Sequence, residues 1–323
     1  MSPSPNGASG LPLVSVVTPV YNTAAYLDEC IRSVRAQTYP RLEYVIADNR
    51  SDDGSLEIAR RHEAEDPRIR VVAHDEFVTA VQSLNRSLRH VSPSAAWVKM
   101  VCADDWIFPE CVERMVALGE AHPSVGLVGA YRLDEDRVDL DGIPIDRPTV
   151  PGHEIIRWSL LGFPYVFGSP SSTMVRADLV RARRPFYGES RPHGDTEVCY
   201  ELLEECDLGF VHQVLSFTRR HNQSQVSRLL RLDSFTASQA DLLRTYGPRH
   251  LSRDEYERRV AAMTASYVRR LGRSPLRLRD PEYRSLHASA LGRLVRDVRP
   301  AGVARGMARR LRGERGPAAE IRG

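Results

Sequence analysis

The sequence predicts an α/β fold in which a mostly parallel central sheet is flanked by helices and followed by a helical C-terminal extension. Two observations carry this prediction. Between Val14 and Tyr131, short β-branched apolar runs alternate with amphipathic helical patterns, which is typical of a parallel sheet covered on both faces. From about Leu229 onward, the chain is rich in Leu and Arg at helical spacing.

The first half of the chain shows the alternation most clearly. Strand patterns cover residues 13–18, 42–47, 69–73, 96–101 and 125–131, and helix patterns cover 23–37, 56–65, 78–91 and 109–121. The first strand is predicted to stop at Pro19, and Asn22 or Thr23 is the predicted cap of the first helix. After Tyr131 the regularity fades.

The second half predicts fewer elements. Residues 134–151 favour a hairpin or surface excursion, and later patterns predict helices over 154–161 and 198–205 and strands over 173–175 and 209–217. Ser252 and Glu255 form a capping-box pattern, and Gly272 to Pro275 mark a helix stop. We expect a flexible N-terminus over 1–12, one domain over 13–228 and a helical region with a basic tail over 229–323.

Charge is unevenly distributed along the 323 residues. The formal net charge is +3, yet Leu291 to Arg315 holds eight Arg against Asp297 and Glu314, so the remainder is slightly acidic. This pattern argues against a general nucleic-acid-binding protein. It predicts a basic C-terminal tail that either contacts an anionic membrane surface peripherally or stays solvated and packs on a partner.

The cysteines predict the compartment. There are five of them: Cys30, Cys102, Cys111, Cys199 and Cys206. They have no CxxC spacing and sit mostly in apolar segments, which favours buried free thiols and a reducing environment over disulfides or a zinc site. Met1–Gly10 has no signal-peptide pattern, and no stretch approaches about 18 consecutive apolar residues. We therefore expect a soluble, cytoplasmic protein.

Two adjacent carboxylates, Asp104 and Asp105, follow the strand pattern of 96–101. Because they repel each other, the pair is most simply explained by a divalent cation or several donors nearby. All-oxygen ligation suits Mg²⁺ or Mn²⁺, and ligands of open α/β sheets bind outside the carboxyl ends of the strands. The alternative is that Asp105 or a neighbour caps a helix that begins near Pro109.

The loop after the first strand, Thr18–Asn22, has no glycine-rich phosphate-binding pattern. The sequence therefore disfavours a dinucleotide-dependent dehydrogenase and a P-loop enzyme. Asp48 stands at the equivalent end of the second strand, where its carboxylate can accept from the imide N–H of uracil or from ribose hydroxyls. The alternative is that Asp48, Ser51 and Asp53 serve only as turn and cap residues.

Four stretches in order resemble the family-2 glycosyltransferases, which have the GT-A fold. They are Val16–Asn22, Gln37–Pro40, Glu43–Ser55 and Ala103–Asp105. Each stretch is modest alone, but the order and spacing are specific, and the resemblance covers roughly Val14 to Arg228. It implies a GT-A domain and an inverting transfer of a sugar from a nucleotide-diphosphate sugar to an acceptor hydroxyl.

The resemblance also implies which residues bind the nucleotide-sugar: Pro19, Tyr21, Asp48, Asp104 and Arg219. The first three hold the base and ribose, and Asp104 lies near the ribose or sugar. Asp105 is the implied metal ligand facing the diphosphate. The family's aspartate motif has an Asp where this chain has Ala103, so metal ligation rests mainly on Asp105.

Inversion requires a base that deprotonates the acceptor hydroxyl while a metal or cations hold the leaving diphosphate. Asp195 resembles the family's catalytic Asp at the start of a helix, and Glu197 is the alternative. A purely structural role for Asp195 would be the N-cap of that helix. The loop 163–172 mixes aromatics with Gly, Pro and hydroxyls, which suits a binding loop. Its predicted acceptor contacts are Gly168, Ser169 and Ser171.

Basic residues follow the last strand pattern, at Arg219, Arg220 and His221. Arginine with its neighbouring hydroxyls suits a diphosphate leaving group. The family commonly carries an Arg-x-His segment here, which implies that Arg219 lies near the diphosphate and that His221 is a second metal ligand. Arg220 is then expected to turn toward solvent.

Two other functions share parts of this pattern. A sugar-1-phosphate nucleotidyltransferase would need a Gly-rich loop bearing Arg or Lys where this chain has Thr18–Asn22. A non-catalytic nucleotide-sugar-binding relative has no need of Asp48, Asp104, Asp105 and Asp195 together. The resemblance favours UDP as the donor nucleotide, with GDP and dTDP open. The acceptor is an unknown saccharide, lipid-linked or small-molecule hydroxyl.

Overall fold

The computed structural model describes residues 10–189, 193–220, 231–273 and 275–296. Contacts between residues divide the chain into two compact units. Of the described residues, 10–152, 165–189 and 194–220 belong to the first unit, and 153–164, 193, 231–273 and 275–296 belong to the second.

The described part of the first unit contains one ten-stranded sheet. Its strands are β1 (Val14–Val20), β2 (Leu42–Asp48), β3 (Ile69–Ala73), β4 (Trp97–Met100), β5 (Trp106–Ile107), β6 (Val125–Asp134), β7 (Arg137–Asp139), β8 (Thr149–Val150), β9 (Thr173–Arg176) and β10 (Asp207–Thr218). The helices in chain order up to β10 are α1 (Ala24–Arg35), α2 (Ser55–Glu65), α3 (Ala80–Leu88), α4 (Cys111–Ala121), α5 (Gly152–Leu161), α6 (Ala177–Arg181) and α7 (Gly194–Leu203).

The sheet runs in the order β3-β2-β1-β4-β9-β6-β10-β5, with β7 beside β6 and β8 beside β10. The strands from β3 to β4 are parallel to one another, as are β6 and β10, while β9 runs antiparallel between the two groups. The prediction of a mostly parallel central sheet is therefore confirmed. Its parallel strands end at a common edge, and the candidate site residues follow those ends.

The central strands are apolar on both faces because helices cover both sides of a parallel sheet. In β1, Val16 and Val17 point to opposite faces and are both completely buried. Helix α1 turns a single stripe toward the sheet, and its buried residues are Leu27, Cys30, Ile31 and Val34. This packing fixes the positions of the strand ends.

The prediction that the first strand stops at Pro19 is wrong by two residues. Strand β1 continues to Val20, and Pro19 lies opposite Ala47 of β2. Proline is tolerated here because β4 pairs with β1 only as far as Val17. No carbonyl of β4 therefore requires a hydrogen bond from an N–H at Pro19.

The expected cap of the first helix is also different from the one observed. Neither Asn22 nor Thr23 caps α1 through its side chain; Asp53 does so by accepting a hydrogen bond of 2.9 Å from the Ala24 N–H. A residue 29 positions away along the chain thus satisfies the helix terminus. The loops after β1 and β2 are thereby joined to each other.

Two differences bear on the candidate site. Helix α7 begins at Gly194 rather than at residue 198, so Asp195 lies inside its first turn. Strand β6 continues past Tyr131 to Asp134, and it forms with β7 the hairpin that was one of the two alternatives predicted for 134–151. The other predicted elements up to β10 are present with boundaries shifted by a few residues.

The second unit is helical in its described part. Besides most of α5, it contains α8 (Ser234–His250), α9 (Arg253–Arg273) and α10 (Pro281–Arg296). The predicted capping box is present, because Ser252 N–H donates to Glu255 at 2.9 Å and Glu255 N–H donates to the Ser252 hydroxyl at 3.4 Å. The predicted helix stop is confirmed by the end of α9 at Arg273.

All five cysteines are free and four of them are buried, as predicted, while the reducing compartment stays a prediction. Among the described residues, none of the helices has the length and apolar character needed to cross a membrane.

Candidate active site

Three parallel strands bring the first group of candidate residues together. Val20 at the end of β1 lies opposite Asp48 at the end of β2, and Asp48 lies opposite Ala73 at the end of β3. Tyr21, the next residue after β1, is 47% exposed, and its ring centroid lies 4.7 Å from that of Phe77 in the loop after β3. An aromatic pair therefore stands at the strand ends that carry Asp48.

Asp48 is buried, with 1% of its surface exposed. Its Oδ2 accepts a hydrogen bond of 3.0 Å from Ser51 N–H, while Oδ1 is buried with no hydrogen-bond partner within the described ranges. The Nε2 atom of neighbouring His74 is likewise buried with no hydrogen-bond partner within the described ranges. Buried polar atoms are normally satisfied, so an unpaired carboxylate oxygen at a strand end indicates a missing donor.

The turn-residue interpretation holds for the two neighbours of Asp48 in the same loop. Ser51 accepts a hydrogen bond of 3.0 Å from the Asn22 N–H, and Asp53 caps α1. Asp48 also contributes to this turn through Ser51, but its second oxygen is left over. The structure thus separates Asp48 from the turn residues.

The carboxylate pair follows β4. Asp105 is 4% exposed, and its Oδ1 accepts a hydrogen bond of 3.1 Å from the Arg219 N–H. Burial, and then the charge of Asp104, raises the pKa of Asp105 to about 7. The helix-cap interpretation does not hold, because α4 begins at Cys111 with Glu110 as the preceding residue.

Ser171 supports this pair from the loop before β9. It is completely buried, and its hydroxyl oxygen accepts a hydrogen bond of 2.9 Å from the Cys102 N–H. The nearby Ser171 side chain also lowers the pKa of Asp105 against the effect of burial. The buried ammonium of Lys99 donates to the Ser171 carbonyl and, at 3.1 Å, to the Thr173 carbonyl. The Ser171 hydroxyl is therefore bonded to the chain after β4 and lies close to Asp105.

The pair fits a divalent cation. In the part of the chain that the structure describes, no cluster of three or more His, Cys, Asp or Glu side chains could hold a metal, and His221 lies outside that part. Mg²⁺, however, is commonly held by one or two carboxylates together with substrate phosphates, and Mn²⁺ takes similar ligands. Because Asp105 is buried beside a like charge, a cation there would relieve its unfavourable ionisation.

Arg219 contacts both residues of the pair, the Asp105 carboxylate through its backbone N–H and Asp104 through that residue's carbonyl. Its Nε donates to the Asp104 carbonyl at 3.3 Å, and its guanidinium is held by Glu29 at 2.6 Å and lies 4.8 Å from the Tyr26 ring centroid. Arg220 does not turn freely toward solvent as expected. It pairs with Asp134 at 2.6 Å, because the end of β10 runs beside the end of β6.

Asp195 lies in the first turn of α7, where its Oδ1 accepts a hydrogen bond of 2.9 Å from the Thr196 N–H. It lines a small cavity together with Gly168, Ser169 and Tyr187. Burial, and then the charge of Asp195, raises the pKa of Tyr187 well above its usual range. Asp195 is thus the second residue of α7, and it is not the N-cap residue that precedes the helix.

The loop predicted to bind the acceptor connects the two acidic groups. Ser171 reaches Asp105, while Gly168 and Ser169 line the cavity of Asp195. The hydroxyls of Ser169 and Ser172 are buried without a hydrogen-bond partner among the described residues. Gly168 has a φ of +70°, and a Cβ there would lie 2.6 Å from the Ser172 hydroxyl, so glycine is required.

Phe77 and Arg132 are near the site and are not among the residues predicted from the sequence. The positive charge of Arg132 lowers the pKa of Asp105 against the effect of burial, although Arg132 comes from β6. Phe77 had one usable signal, an aromatic residue just after a strand of the parallel group. The sequence contained no signal for Arg132, since its approach to Asp105 depends on the strand order.

Comparison with known proteins identifies the family. The model of glycosyl transferase family 2 matches residues 15–183, which is more than half of the chain. The chain belongs to glycosyl transferase family 2. It is accordingly an enzyme of the glycosyltransferase class. The resemblance inferred from the four sequence stretches is confirmed.

EpsE of Bacillus subtilis (strain 168), which carries a glycosyltransferase name, is 28% identical to this family member over 220 residues, covering 67% of this chain and 76% of EpsE. The chain spans about half or less of the length of several other curated relatives.

Solved structures confirm the fold. The structure of S. aureus TarS 1–349 in complex with UDP-GlcNAc has a TM-score of 0.67 at 17% identity, covering 94% of this chain and 85% of that one. The mannosyltransferase PcManGT from Pyrobaculum calidifontis, in complex with GDP-Man and Mn²⁺, has a TM-score of 0.53 at 15% identity, covering 95% of this chain and 89% of that one. The α/β fold of this glycosyltransferase is of the GT-A type.

Proposed function

We propose that this glycosyltransferase moves a sugar, with inversion, from a UDP-sugar to an acceptor hydroxyl, with Mg²⁺ or Mn²⁺ at Asp105 and with Asp195 as the base. The observation that carries the donor assignment is the buried Oδ1 of Asp48, which has no partner in the described ranges. The imide N–H of uracil is a donor that matches this oxygen. The exposed faces of Tyr21 and Phe77 offer the base an aromatic surface beside it.

The diphosphate is assigned to the Asp104–Asp105 pair and Arg219. When bound, the divalent cation supplies positive charge to the leaving diphosphate. Arg219 adds a guanidinium beside Asp104, and its own N–H fixes one oxygen of Asp105. Ser171 orients Asp105 from the other side, so we propose it as a positioning residue for that carboxylate. PcManGT, a structural neighbour bound to GDP-Man and Mn²⁺, supports a metal for this chain by analogy.

In the proposed reaction, the acceptor oxygen forms a bond to the anomeric carbon while the bond from that carbon to the diphosphate oxygen breaks. The electron pair of the broken bond stays on the diphosphate, and the acceptor proton moves to the carboxylate of Asp195. The loop from Gly168 to Ser171 supports this arrangement, because it reaches both Asp105 and the cavity that Asp195 lines.

A thermal-shift panel tests the donor. We expect UDP-GlcNAc with Mn²⁺ to raise the melting temperature more than GDP-Man or a dTDP-sugar does, because a ligand of the native state stabilises it. Asp48→Asn should weaken UDP-GlcNAc binding by about 10- to 100-fold, the usual cost of a hydrogen bond to a charged group.

The control for this panel is Asp136→Asn, which removes a carboxylate from an exposed position. Equal shifts from all three nucleotide classes, or unchanged UDP-GlcNAc binding by Asp48→Asn, would contradict the assignment of Asp48 to uracil.

We also propose that the basic C-terminal tail brings the enzyme to an anionic membrane face, where a lipid-linked acceptor would be found. Most of that tail lies outside the described residues. The described part of the second unit also has exposed basic and apolar side chains. They are Val268, Arg269, Arg273, Leu276, Arg277 and Arg279. Each basic residue near an anionic surface contributes about 1 kcal/mol of binding.

Liposome co-sedimentation tests this contact. A chain truncated after Arg296 keeps α10 and its buried Leu294 intact. We expect the full chain to pellet with anionic vesicles at low salt more than the truncated chain does, and neither to pellet with neutral vesicles, because the attraction is electrostatic. Physiological salt should reduce the difference, because it screens that attraction. Equal pelleting of the two proteins on anionic vesicles would reject the tail as the contact.

A further inference from the structure

Two asparagines of the first unit make the same unusual contact. The side chain of Asn49, next to Asp48, donates to the Val78 carbonyl at 2.8 Å and accepts from the Val78 N–H at 3.1 Å. The side chain of Asn85 donates to the Tyr187 carbonyl at 2.9 Å and accepts from the Tyr187 N–H at 2.8 Å. Each amide thus pairs with both backbone groups of one residue, as a neighbouring strand would.

Helix α3 lies between these two contacts. At its N-terminal side, Val78 is held to the end of β2 by Asn49, and Arg86 donates to the same Asn49 side chain at 2.5 Å. On its other face, Asn85 is 7% exposed and reaches Tyr187. Asn85 and Gln82 also donate to the carboxylate of Glu189, at 3.1 Å and 3.2 Å. The helix therefore connects the loop of Asp48 with residues 187–189.

Residues 187–189 in turn contact the start of α7. A Cβ on Gly194 would lie 2.8 Å from the Gly188 carbonyl oxygen, so the two backbones touch. Gly194 directly precedes Asp195, and the Tyr187 side chain lines the same cavity as Asp195. A shift of Tyr187 and Gly188 would therefore move the first turn of α7.

We propose that Asn85 is a positioning residue, which holds Tyr187 and Gly188 so that the carboxylate of Asp195 meets the acceptor hydroxyl, and which links that carboxylate through α3 to the donor-base end of the site. This inference rests on the proposed role of Asp195. Asn85 touches neither substrate nor metal in this scheme. Its effect is on the turnover step rather than on donor affinity, because Asp48 and Asp105 are left in place.

Steady-state kinetics with UDP-GlcNAc or GDP-Man, whichever donor stabilises the wild-type enzyme with Mn²⁺, tests the role. We expect Asn85→Ala to lower kcat for nucleotide release by about 10- to 100-fold, the scale of a displacement of about 1 Å in a reacting group, with donor Kd unchanged. Ser87→Ala is the matched control, since it removes a buried hydrogen bond of 2.7 Å within α3, and Ser87 has no hydrogen bond to residues 187–189 among the described residues. It should leave kcat unchanged.

A double-mutant cycle separates positioning from general damage. If Asn85 acts through Asp195, then Asn85→Ala should cause no further loss of kcat in an Asp195→Asn background. A multiplicative loss would overturn the proposal, as would wild-type kcat in Asn85→Ala. If Asp195→Asn itself has wild-type kcat, the proposed base is wrong, and that outcome is distinct from failure of Asn85 alone.

Hydrogen exchange provides a readout that needs no donor. In Asn85→Ala, and in the milder Glu189→Ala if the first variant does not fold, the α7 amides that bond back to the carbonyls of its first turn, from Val198 onward, should exchange faster than in the wild type. The amides of β1 should not change. Unchanged exchange in α7 would overturn the proposal, because it would show that the contact does not hold the turn that carries Asp195.

Discussion

Replacing Asp195 with Asn should reduce sugar transfer by about 10²- to 10⁴-fold, the usual loss on removing a general base. The amide keeps the shape of the side chain and can still accept the 2.9 Å hydrogen bond from Thr196 N–H, so the first turn of α7 should remain intact. It cannot take the acceptor proton. Binding of the nucleotide-sugar, measured by calorimetry, should be nearly unchanged.

Two variants on the same helix make the result specific. Glu197→Gln removes the other acidic residue of the first turn, and it should have a much smaller effect on kcat if Asp195 is the base. Glu201→Gln removes an exposed carboxylate of α7 and should be neutral. A larger loss for Glu197→Gln would transfer the assignment to Glu197. Equal losses of donor affinity and kcat in Asp195→Asn would indicate a structural role.

The residues at the carboxyl ends of strands could be predicted because both steps of the reasoning are local. The apolar runs before Asp48 and Asp105 predict strands, and the carboxyl ends of parallel strands share one edge of the sheet. The paired carboxylates then indicate a cation without any knowledge of strand order. Strand identity and residue type were sufficient for these positions.

Contacts between distant parts of the chain could not be predicted in this way. The bond from Ala24 to Asp53 spans 29 residues, and the bonds of Asn85 with Tyr187 span 102. Ser171 illustrates the consequence: the composition of its loop predicts an acceptor contact, but it does not predict that the fold buries the side chain completely and sets its hydroxyl against the Cys102 N–H. Only the arrangement of β4 beside β9 brings these segments together.

The buried carboxylate pair should also make the metal-free enzyme less stable as the pH rises. The pKa of Asp105 is about 7 in the folded protein against an ordinary value of 3.8. Between these values the folded state binds more protons than the unfolded state, so the free energy of unfolding falls as pH increases from about 4 to about 7. The loss could reach about 4 kcal/mol, since each unit of pKa difference is worth about 1.4 kcal/mol.

Asp105→Asn should abolish that dependence. In EDTA at pH 8, the variant should melt several degrees above the wild type, at about 2–4 °C per kcal/mol for a domain of this size, and the two should converge near pH 4. Asp136→Asn, at an exposed position, should follow the wild type throughout. Adding Mn²⁺ should reverse the order at pH 8, because the metal binds the ionised wild-type pair and stabilises the native state.

One outcome would contradict this prediction. If the melting temperatures of Asp105→Asn and the wild type change with pH in parallel across this range, Asp105 carries no buried charge, and the case for a metal at this position fails with it. In that case the site would not lower the stability of the metal-free enzyme, whereas the arrangement of Asp104, Asp105 and Ser171 predicts that it does.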